Sequence, residues 1–262
     1  MQGKRESVIS SDGTRIGLLT HGDGPPLLLV HGGMCRLERW APLWEVLTSR
    51  YTVTAMDRRG RGSSGDAEDY HLDAEYDDVR AVAEAKGPLD VFAHSYGAVV
   101  ALGAAARGAP LRRIALYEPP GPETVPADWL TRFQAAVAAG DLGRAAMSFL
   151  VEVVGLPQDQ VLAMRDAPMA YDPMPIIART MPREGSALAA VDLAALATAV
   201  PQPVLLLVGA ASPAWAQKIT DVLHENLARS SIATLDSQGH EAVDLVPDVV
   251  AQVLGRFFGE TE

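Results

Sequence analysis

Cysteine is almost absent from this chain of 262 residues, in which Cys35 is the single example. No intrachain disulfide bond can therefore form, and this usage suits a reducing compartment. Long apolar runs are also lacking, because the most apolar stretch, residues 97–106, has about half of the ~20 residues that a membrane span requires. The N-terminal segment carries basic residues without the apolar run of a secretory signal. We therefore expect a cytoplasmic protein that has no membrane-spanning segment.

Positive charge is scarce relative to negative charge. The chain has 22 Lys and Arg residues against 33 Asp and Glu residues, which gives a formal net charge of −11. An acidic protein repels phosphate backbones and anionic lipid headgroups, so we expect neither nucleic acid nor a membrane surface as a partner. The six histidines are scattered and the carboxylates show no metal-ligand spacing, so we expect no metal ion and no organic cofactor. The sequence leaves the oligomeric state open.

Short apolar runs alternate with longer helical patterns along most of the chain. Such alternation is typical of βαβ units, in which helices join parallel strands. An Asp12-Gly13 pair between two short segments predicts an opening hairpin. The predicted fold class is therefore α/β, with a mostly parallel central sheet flanked by helices. The predicted strands are residues 7–10, 15–20, 26–30, 51–56, 89–93, 111–117, 203–208 and 232–235, and the last helix is predicted over residues 242–258.

One interval, residues 121–190, breaks this alternation because it contains no convincing strand. Apolar residues recur there at helical spacing, and Asp141 is expected to cap a helix. We therefore predict a helical cap inserted into an α/β core that comprises residues 1–120 and 191–262. Its place between two core strands favours a lid, and the alternative is a helical decoration with no gating role. The apolar positions are Leu130, Phe133 and Val137, followed by Leu142, Ala146, Phe149 and Val153.

A tight turn is predicted at residues 93–98 (AHSYGA), between an apolar strand and a helix of small residues. This context matches the small-x-Ser-x-small turn that lifts a serine hydroxyl clear of the sheet edge. Ala93 and Gly97 are small, as the close approach of strand and helix demands, although Ala93 replaces the usual glycine. Ser95 is thus a candidate nucleophile, and the amide of Tyr96 is a candidate donor to an oxyanion. The alternative is an ordinary turn serine.

Two further turns are candidates to complete a site for acyl transfer. The strand at residues 26–30 is followed by the segment HGGM, whose glycine amides can face a ligand unhindered. Gly33 or Met34 would supply the second oxyanion donor, whereas His31 is expected to pack or hydrogen-bond locally. Near the C-terminus, a Gly-His pair follows the last predicted strand. Of the six histidines, His240 alone has the order and context to reach Ser95 and act as its general base.

Together these motifs resemble the α/β-hydrolase superfamily over nearly the whole chain, apart from the inserted segment. A further match is the segment at residues 57–64 (DRRGRGSS). It is similar to the D-x-R-G-x-G-x-S turn of esterases, C–C hydrolases, peroxidase-like hydrolases and peptidases of this fold, in which the turn is structural. The resemblance implies an α/β-hydrolase fold with an inserted helical cap. It is a poor guide to the substrate, because this fold hosts many chemistries.

The carboxylate that usually orients the histidine is missing from its common place. Members of the superfamily usually carry it after the strand that corresponds to residues 203–208, but here that loop reads GAASPAW, and Ser212 stands where the acid would. Glu118 ends the preceding core strand and resembles the arrangement in lactone-hydrolysing members, so we expect it to complete the triad. The alternatives are a glutamate without that role, with Asp236 as a weak substitute, or a pseudo-enzyme that binds without turnover.

The expected reaction is two-step acyl transfer through a covalent intermediate on Ser95. We expect a small hydrophobic ester, lactone or thioester as substrate, because methionine-rich and aromatic walls suit an apolar guest. C–C bond hydrolysis, peptidase and perhydrolase chemistry remain open on the same residues, as does a non-hydrolytic binding protein. The candidate lining residues are Trp129, Phe133 and Phe149, with Met147, Met164, Met169, Met174 and Met181.

Overall fold

The computed structural model describes residues 1–165 and 176–259 of the chain. Two of the methionines proposed to line a ligand site, Met169 and Met174, lie outside the described residues. Contacts divide the chain into two compact units, which we call the core unit and the cap unit. The core unit is Met1–Gly32, Arg36–Pro120 and Asp192–Glu262, and the cap unit is Gly33–Cys35 and Gly121–Val191.

The core unit is organised around one eight-stranded sheet in the described residues. Strands β1 and β2 form the opening antiparallel hairpin, β2 pairs antiparallel with β4, and every other pair is parallel. The predicted α/β class with a mostly parallel sheet is therefore confirmed. The spatial order of the strands in the sheet is β1-β2-β4-β3-β5-β6-β7-β8. Numbered along the chain, the strands are β1 (Lys4–Ile9), β2 (Arg15–His21), β3 (Pro26–Val30), β4 (Thr52–Met56), β5 (Leu89–His94), β6 (Leu111–Tyr117), β7 (Val204–Gly209) and β8 (Ser230–Leu235).

The central strands are continuous apolar runs because both faces of a parallel sheet are covered. Every residue of β5 and β7 is buried, whereas the edge strands β1 and β8 expose several of theirs. Parallel strands end at the same edge of the sheet, and open α/β sheets place their ligand sites outside these carboxyl ends. The segments that follow those ends are residues 31–34, Ser95, Glu118, residues 210–213 and residues 236–241.

Helices join the strands and build the cap unit. In the part of the chain that the structure describes, the cap segments contain helical turns and no strand, and none of the helices combines the length and apolarity needed to cross a membrane. The α-helices are α1 (Ala41–Thr48), α2 (Leu72–Lys86), α3 (Tyr96–Ala106), α4 (Ala127–Ala138), α5 (Leu142–Ser148), α6 (Gln158–Arg165), α7 (Met181–Ala190), α8 (Leu193–Thr198), α9 (Ala214–Asn226), α10 (Ala242–Leu245) and α11 (Pro247–Gly259).

The C-terminal helix corrects the sequence analysis. A single helix was expected over residues 242–258, but the structure breaks it at Val246, where φ is −138°. Pro247 explains the break, because proline disfavours a helical conformation in the residue before it and has no N–H to continue the ladder. The new helix α11 begins at this proline and buries Val250, Leu254 and Phe258 against the core.

The cap unit has an apolar interior of its own. Asp141 accepts a hydrogen bond from the amide of Arg144 at 3.2 Å and caps α5, as predicted. The segment 33–35, which the sequence analysis placed in the core, groups with the cap unit because the buried side chain of Met34 packs into its apolar cluster. The buried members of this cap cluster are Met34, Trp129, Phe133, Ala145, Ala146, Ile177, Ala178 and Met181.

Candidate active site

Ser95 occupies the turn between β5 and α3, with φ 55° and ψ −129°. A positive φ is unfavourable for a residue that carries a side chain, so the turn imposes this conformation on the serine. Within residues 89–105, Ser95 is the one residue that is not buried. A Cβ on Gly97 would lie 2.4 Å from the carbonyl oxygens of both Val30 and His31, which explains why the residue there is a glycine. Strand and helix therefore meet closely and leave the Ser95 side chain partly exposed at the sheet edge.

Tyr96 follows Ser95 directly and is the first residue of α3. The guanidinium of Arg58 lies 4.4 Å from the centroid of the Tyr96 ring, and the hydroxyls of Tyr96 and Tyr70 are 2.7 Å apart. Arg58 is held in turn by two hydrogen bonds to Glu75, of 2.6 and 2.7 Å. These contacts fix the side chain of Tyr96, so the first turn of α3 has a defined orientation beside Ser95.

The second expected oxyanion donor falls in the other unit. Gly32 lies against the turn at Ser95, since a Cβ on Gly32 would be 2.9 Å from Cβ of Ser95. It is the last residue of the core unit before the cap segment 33–35 begins. The next two residues, Gly33 and Met34, belong to the cap unit, and Met34 has φ 52°. That the amide of Gly33 or Met34 donates to an oxyanion stays a prediction, which is based on the position of the preceding residue, Gly32, against the turn at Ser95.

Glu118 follows β6 and is wholly buried, with φ 47°. Its Oε2 accepts a hydrogen bond from Nδ1 of His240 at 2.7 Å. Its Oε1 accepts hydrogen bonds from the amide of Gly209, at 2.8 Å, and from the hydroxyl of Ser212. Three donors surround the two oxygens, an arrangement that suits an ionised carboxylate. Ser212, at the position where the usual acid is missing, is thus hydrogen-bonded to the glutamate at the neighbouring strand end.

The tautomer of His240 follows from this pairing. A carboxylate with three donors around it accepts hydrogen bonds, so Nδ1 of His240 carries a proton and Nε2 of the neutral ring keeps a lone pair. The side chain is 13% exposed. The centroid of the Trp215 ring lies 6.0 Å from that of the imidazole, and the two planes are inclined by 66°. The ring of His94, the residue before Ser95, is 4.4 Å away. The structure therefore brings Ser95, His240 and Glu118 to one edge of the sheet, with His240 oriented by Glu118.

The loop that carries His240 has partners that the sequence analysis missed. The hydroxyl of Tyr117 donates to the carbonyl of Gly239, and Nε2 of His94 donates to the carbonyl of His240 at 3.1 Å. Arg39, from the turn before α1, forms ion pairs with Glu241 and Asp244, which follow the histidine in the sequence. The sequence offered one indication of these contacts, which is the position of His94 and Tyr117 at the ends of two strands, immediately before Ser95 and Glu118.

His31 follows β3 and has local partners, as expected. Its Nδ1 donates to the carbonyl of Gly32 at 3.0 Å, and its Nε2 accepts from the amide of Arg58 at 3.1 Å. Complete burial, together with the charge of Arg58, lowers the pKa of His31 well below its usual value, so the ring is neutral. Asp57, which opens the segment DRRGRGSS, accepts hydrogen bonds from the amide of Leu37 and from the amide and hydroxyl of Ser63. These contacts support the structural interpretation of that turn.

The remaining candidates differ in exposure. Asp236, the substitute acid, is exposed to solvent, whereas Glu118 is buried against His240. Trp129 and Phe133 are 2% and 1% exposed, and their rings lie 4.8 Å apart in the interior of the cap unit. Phe149 is half-buried. Among the residues described, no three His, Cys, Asp or Glu side chains are grouped as a metal site would require.

Gly33 is flanked by two of the apolar side chains proposed to contact a ligand. A Cβ on Gly33 would lie 3.2 Å from Cε of Met181 and 3.8 Å from the ring of Phe149. All three residues belong to the cap unit. Phe149 and Met181 therefore lie next to Gly33, in the segment from which the second oxyanion donor is expected. Trp129 and Phe133 are instead buried in the apolar interior of the cap unit.

Comparison with known proteins gives matches over most of the chain. A model of the alpha/beta hydrolase family matches residues 27–253. An alpha/beta hydrolase of known structure from Sphaerobacter thermophilus is 38% identical, with a TM-score of 0.86, over 97% of this chain and 100% of that one. An enol-lactonase from Burkholderia xenovorans LB400 is 20% identical, with a TM-score of 0.74, over 97% of this chain and 100% of that one, which shows a shared fold alone.

A curated relative gives a shorter match of higher identity. An N-formylmaleamate deformylase of Pseudomonas putida is 40% identical over 119 residues, which are 43% of this chain and 44% of the relative. The chain therefore matches less than half the length of this protein.

Proposed function

Because the chain belongs to the alpha/beta hydrolase family, we propose that it is a serine hydrolase that cleaves a small hydrophobic ester, lactone or thioester. Ser95 is the nucleophile, His240 the general base and Glu118 the acid that orients it. The observation that carries this proposal is the 2.7 Å hydrogen bond from Nδ1 of His240 to the buried carboxylate of Glu118. In the neutral imidazole this bond places the proton on Nδ1, so that Nε2 carries the lone pair that a general base requires.

The first half of the reaction forms an acyl-enzyme. Nε2 of His240 takes the proton of the Ser95 hydroxyl while the serine oxygen attacks the carbonyl carbon of the substrate. Negative charge develops on the carbonyl oxygen, and the amide of Tyr96 with that of Gly33 or Met34 would stabilise it. Glu118 stabilises the imidazolium, which then passes its proton to the leaving alcohol or thiol as the tetrahedral intermediate collapses.

The second half regenerates the serine. A water molecule gives one proton to Nε2 of His240 and attacks the acyl carbon, and the same donors stabilise the second oxyanion. Collapse returns the proton from His240 to the Ser95 oxygen and releases the carboxylic acid. Each residue thus ends in its starting protonation state, and no oxidant, reductant or cofactor is consumed.

The substrate class rests on the apolar character of the cap unit. Phe149 and Met181 flank Gly33, next to the proposed second oxyanion donor. Aromatic and thioether side chains adapt to hydrocarbon groups. We therefore assign to these two residues the selection of the acyl group.

A second candidate function is removal of an N-acyl group from an amide. The observation that favours it is the 40% identity, over 119 residues, to a protein described as an N-formylmaleamate deformylase. The same residues would act, but His240 would have to protonate a poorer, nitrogen leaving group before the tetrahedral intermediate collapses. Relative rates on matched formyl esters and formyl amides separate the two functions.

The test combines a mechanism-based probe with a substrate panel. We expect a fluorophosphonate to label Ser95, and Ser95→Ala to lose both labelling and turnover by several orders of magnitude. Aryl esters, lactones, acyl thioesters and formyl amides, assayed with the parent, identify the preferred bond. Ser231→Ala, at an exposed serine of β8, is the matched control and should behave like the parent. Turnover by Ser95→Ala above a tenth of the parental rate would remove Ser95 from the mechanism.

A further inference from the structure

The residues that immediately precede Ser95 and Glu118 form a pair of their own. His94 ends β5 and Tyr117 ends β6, and the two are direct partners in the parallel register of these strands. Both side chains are almost fully buried, at 3% and 0% exposure, and their rings lie 5.2 Å apart. The same two strand ends that present the proposed nucleophile and acid therefore also present an imidazole and a phenol at one level of the sheet.

Both side chains reach the backbone of the histidine loop. The Tyr117 hydroxyl donates to the carbonyl of Gly239, and Nε2 of His94 donates to the next carbonyl, that of His240, at 3.1 Å. The His94 ring also lies against the His240 ring, with a tilt of 39° between their planes. Two successive carbonyls of one loop are thus held from two neighbouring strands, across 146 and 122 positions of sequence.

Both donors keep their protons over the working range of pH. A carbonyl oxygen can only accept, so the proton of His94 is on Nε2. Burial lowers the pKa of His94 well below its usual value, so the ring stays neutral and Nδ1 is the unprotonated nitrogen. Burial, with the neighbouring charge of Glu118, raises the pKa of Tyr117, so its hydroxyl remains a donor.

We propose that His94 and Tyr117 form a carbonyl clamp that positions the imidazole of His240 for its reaction with Ser95. The inference rests on the proposed serine-hydrolase function. The 2.7 Å hydrogen bond from Nδ1 of His240 to Glu118 fixes the tautomer and one nitrogen of the ring, but it does not hold the backbone that carries the ring. The clamp ties that backbone to the nucleophile strand through His94 and to the acid strand through Tyr117. Both are positioning residues, since they act through His240.

The clamp makes a specific prediction for kinetics. Tyr117→Phe removes one hydroxyl and keeps the ring, and we expect kcat to fall about tenfold with KM within twofold of the parent. The rate of fluorophosphonate labelling should fall in parallel, because labelling reports activation of Ser95 rather than substrate binding. His94→Leu should have a similar effect, whereas His94→Gln, whose side-chain amide can donate at similar reach, should recover most of the parental rate.

Controls separate positioning from a general loss of packing. Tyr76→Phe changes another buried tyrosine, in α2 against Gly103, and should leave kcat unchanged. Thermal unfolding of every variant shows whether the fold persists. Equal losses in His94→Leu and His94→Gln, or parental labelling of Tyr117→Phe, would overturn the clamp while an inactive Ser95→Ala keeps the proposed function. If the parent neither turns over substrate nor accepts the probe, the proposed function fails and the clamp fails with it.

Discussion

The carboxyl edge of the sheet and the apolar cluster of the cap unit are built from different kinds of contact. At the edge, buried polar groups meet at hydrogen-bond distance, such as Glu118 with His240 at 2.7 Å and with the amide of Gly209 at 2.8 Å. In the cap cluster, the rings of Trp129 and Phe133 lie 4.8 Å apart, and the side chains of Met34 and Met181 are buried in the same cluster. Hydrogen bonds are directional and fail within a few tenths of an ångström, whereas apolar packing tolerates rearrangement at modest cost.

The contrast predicts where the chain is sensitive to change. A residue at the edge has few substitutes, because both oxygens of Glu118 and Nδ1 of His240 already have hydrogen-bond partners. A cap residue that is proposed to select the acyl group should tolerate exchange for another apolar residue, with a change in preference and no loss of the reaction. Backbone strain adds to this sensitivity, since Ser95 and Glu118 both hold a positive φ directly after a strand.

The largest expected effect is that of Glu118→Gln, which tests the edge directly. Oε1 and Oε2 both accept hydrogen bonds, so an amide group must direct its NH2 against either the N–H of Gly209 or Nδ1–H of His240. The second arrangement imposes the wrong imidazole tautomer, and loss of such an acid costs about four orders of magnitude in kcat in a serine protease. We expect a folded protein, by circular dichroism, with kcat lowered by about that factor.

Two further variants make this result decisive. Asp236→Asn, at the exposed carboxylate near His240, should keep the parental kcat. Ser212→Asp in the Glu118→Gln background should restore part of the rate, because the Ser212 hydroxyl already contacts the Glu118 carboxylate. Parental activity of Glu118→Gln would assign the orientation of His240 to another group, and the edge would then be no more sensitive than the cap.

The elements that could be predicted from sequence are those with a local signal. The bounds of β3 and β6 were predicted as the structure has them, because a proline precedes each strand and a polar residue follows it. The turn at Ser95 was likewise predicted from a local signal, since the size of Gly97 reports the closeness of strand and helix. The interruption at Val246 was missed even though Pro247 signals it, because the apolar pattern continues across the break.

The contacts of the histidine loop could not be predicted in this way. His94 and Tyr117 reach Gly239 and His240 over more than a hundred residues, and the direction of each side chain depends on the sheet order. The assignment of residues 33–35 to the cap unit has the same origin, because it follows from the packing of Met34. Glu118 was singled out from the missing acid after β7, and its catalytic role remains a prediction.

The next largest effect is expected in the cap and concerns preference rather than rate. Phe149→Ala removes a half-buried ring beside Gly33. One methylene group more or less in an apolar pocket changes kcat/KM by roughly ten- to two-hundredfold. We expect the ratio of kcat/KM for octanoyl over butyryl aryl esters to change about tenfold, while fluorophosphonate labelling of Ser95 stays within a factor of two.

Phe257→Ala is the matched control for the cap variant, since Phe257 is another half-buried phenylalanine, in α11 of the core unit. It should leave the octanoyl-to-butyryl ratio unchanged. An unchanged ratio in Phe149→Ala as well would show that this part of the cap does not select the acyl group. A loss of labelling in Phe149→Ala by orders of magnitude would contradict the expected difference between edge and cap.

The smallest effect is expected at the Lys86–Glu6 contact, a polar contact of the core unit outside the carboxyl edge. This contact tests whether any polar contact of the core affects kcat, or only those at the carboxyl edge. Lys86, by a hydrogen bond, lowers the pKa of Glu6 from 4.5 to about 2, and a hydrogen bond from Thr20 adds to the shift. Because the folded state favours the ionised carboxylate, this contribution to stability is present above pH 4.5 and is lost as the pH falls toward 2. The pair is about one-fifth exposed, so Lys86→Gln should lower the free energy of unfolding by about 0.5 kcal/mol at pH 7. Urea unfolding should show this difference in the free energy of unfolding vanishing near pH 2, with kcat unchanged at pH 7.

Lys4→Gln is the control, at a lysine that is 79% exposed and 3.4 Å from Glu6, and it should change stability less. A fall in kcat for Lys86→Gln would mean that polar contacts throughout the core, and not those of the carboxyl edge alone, control the reaction.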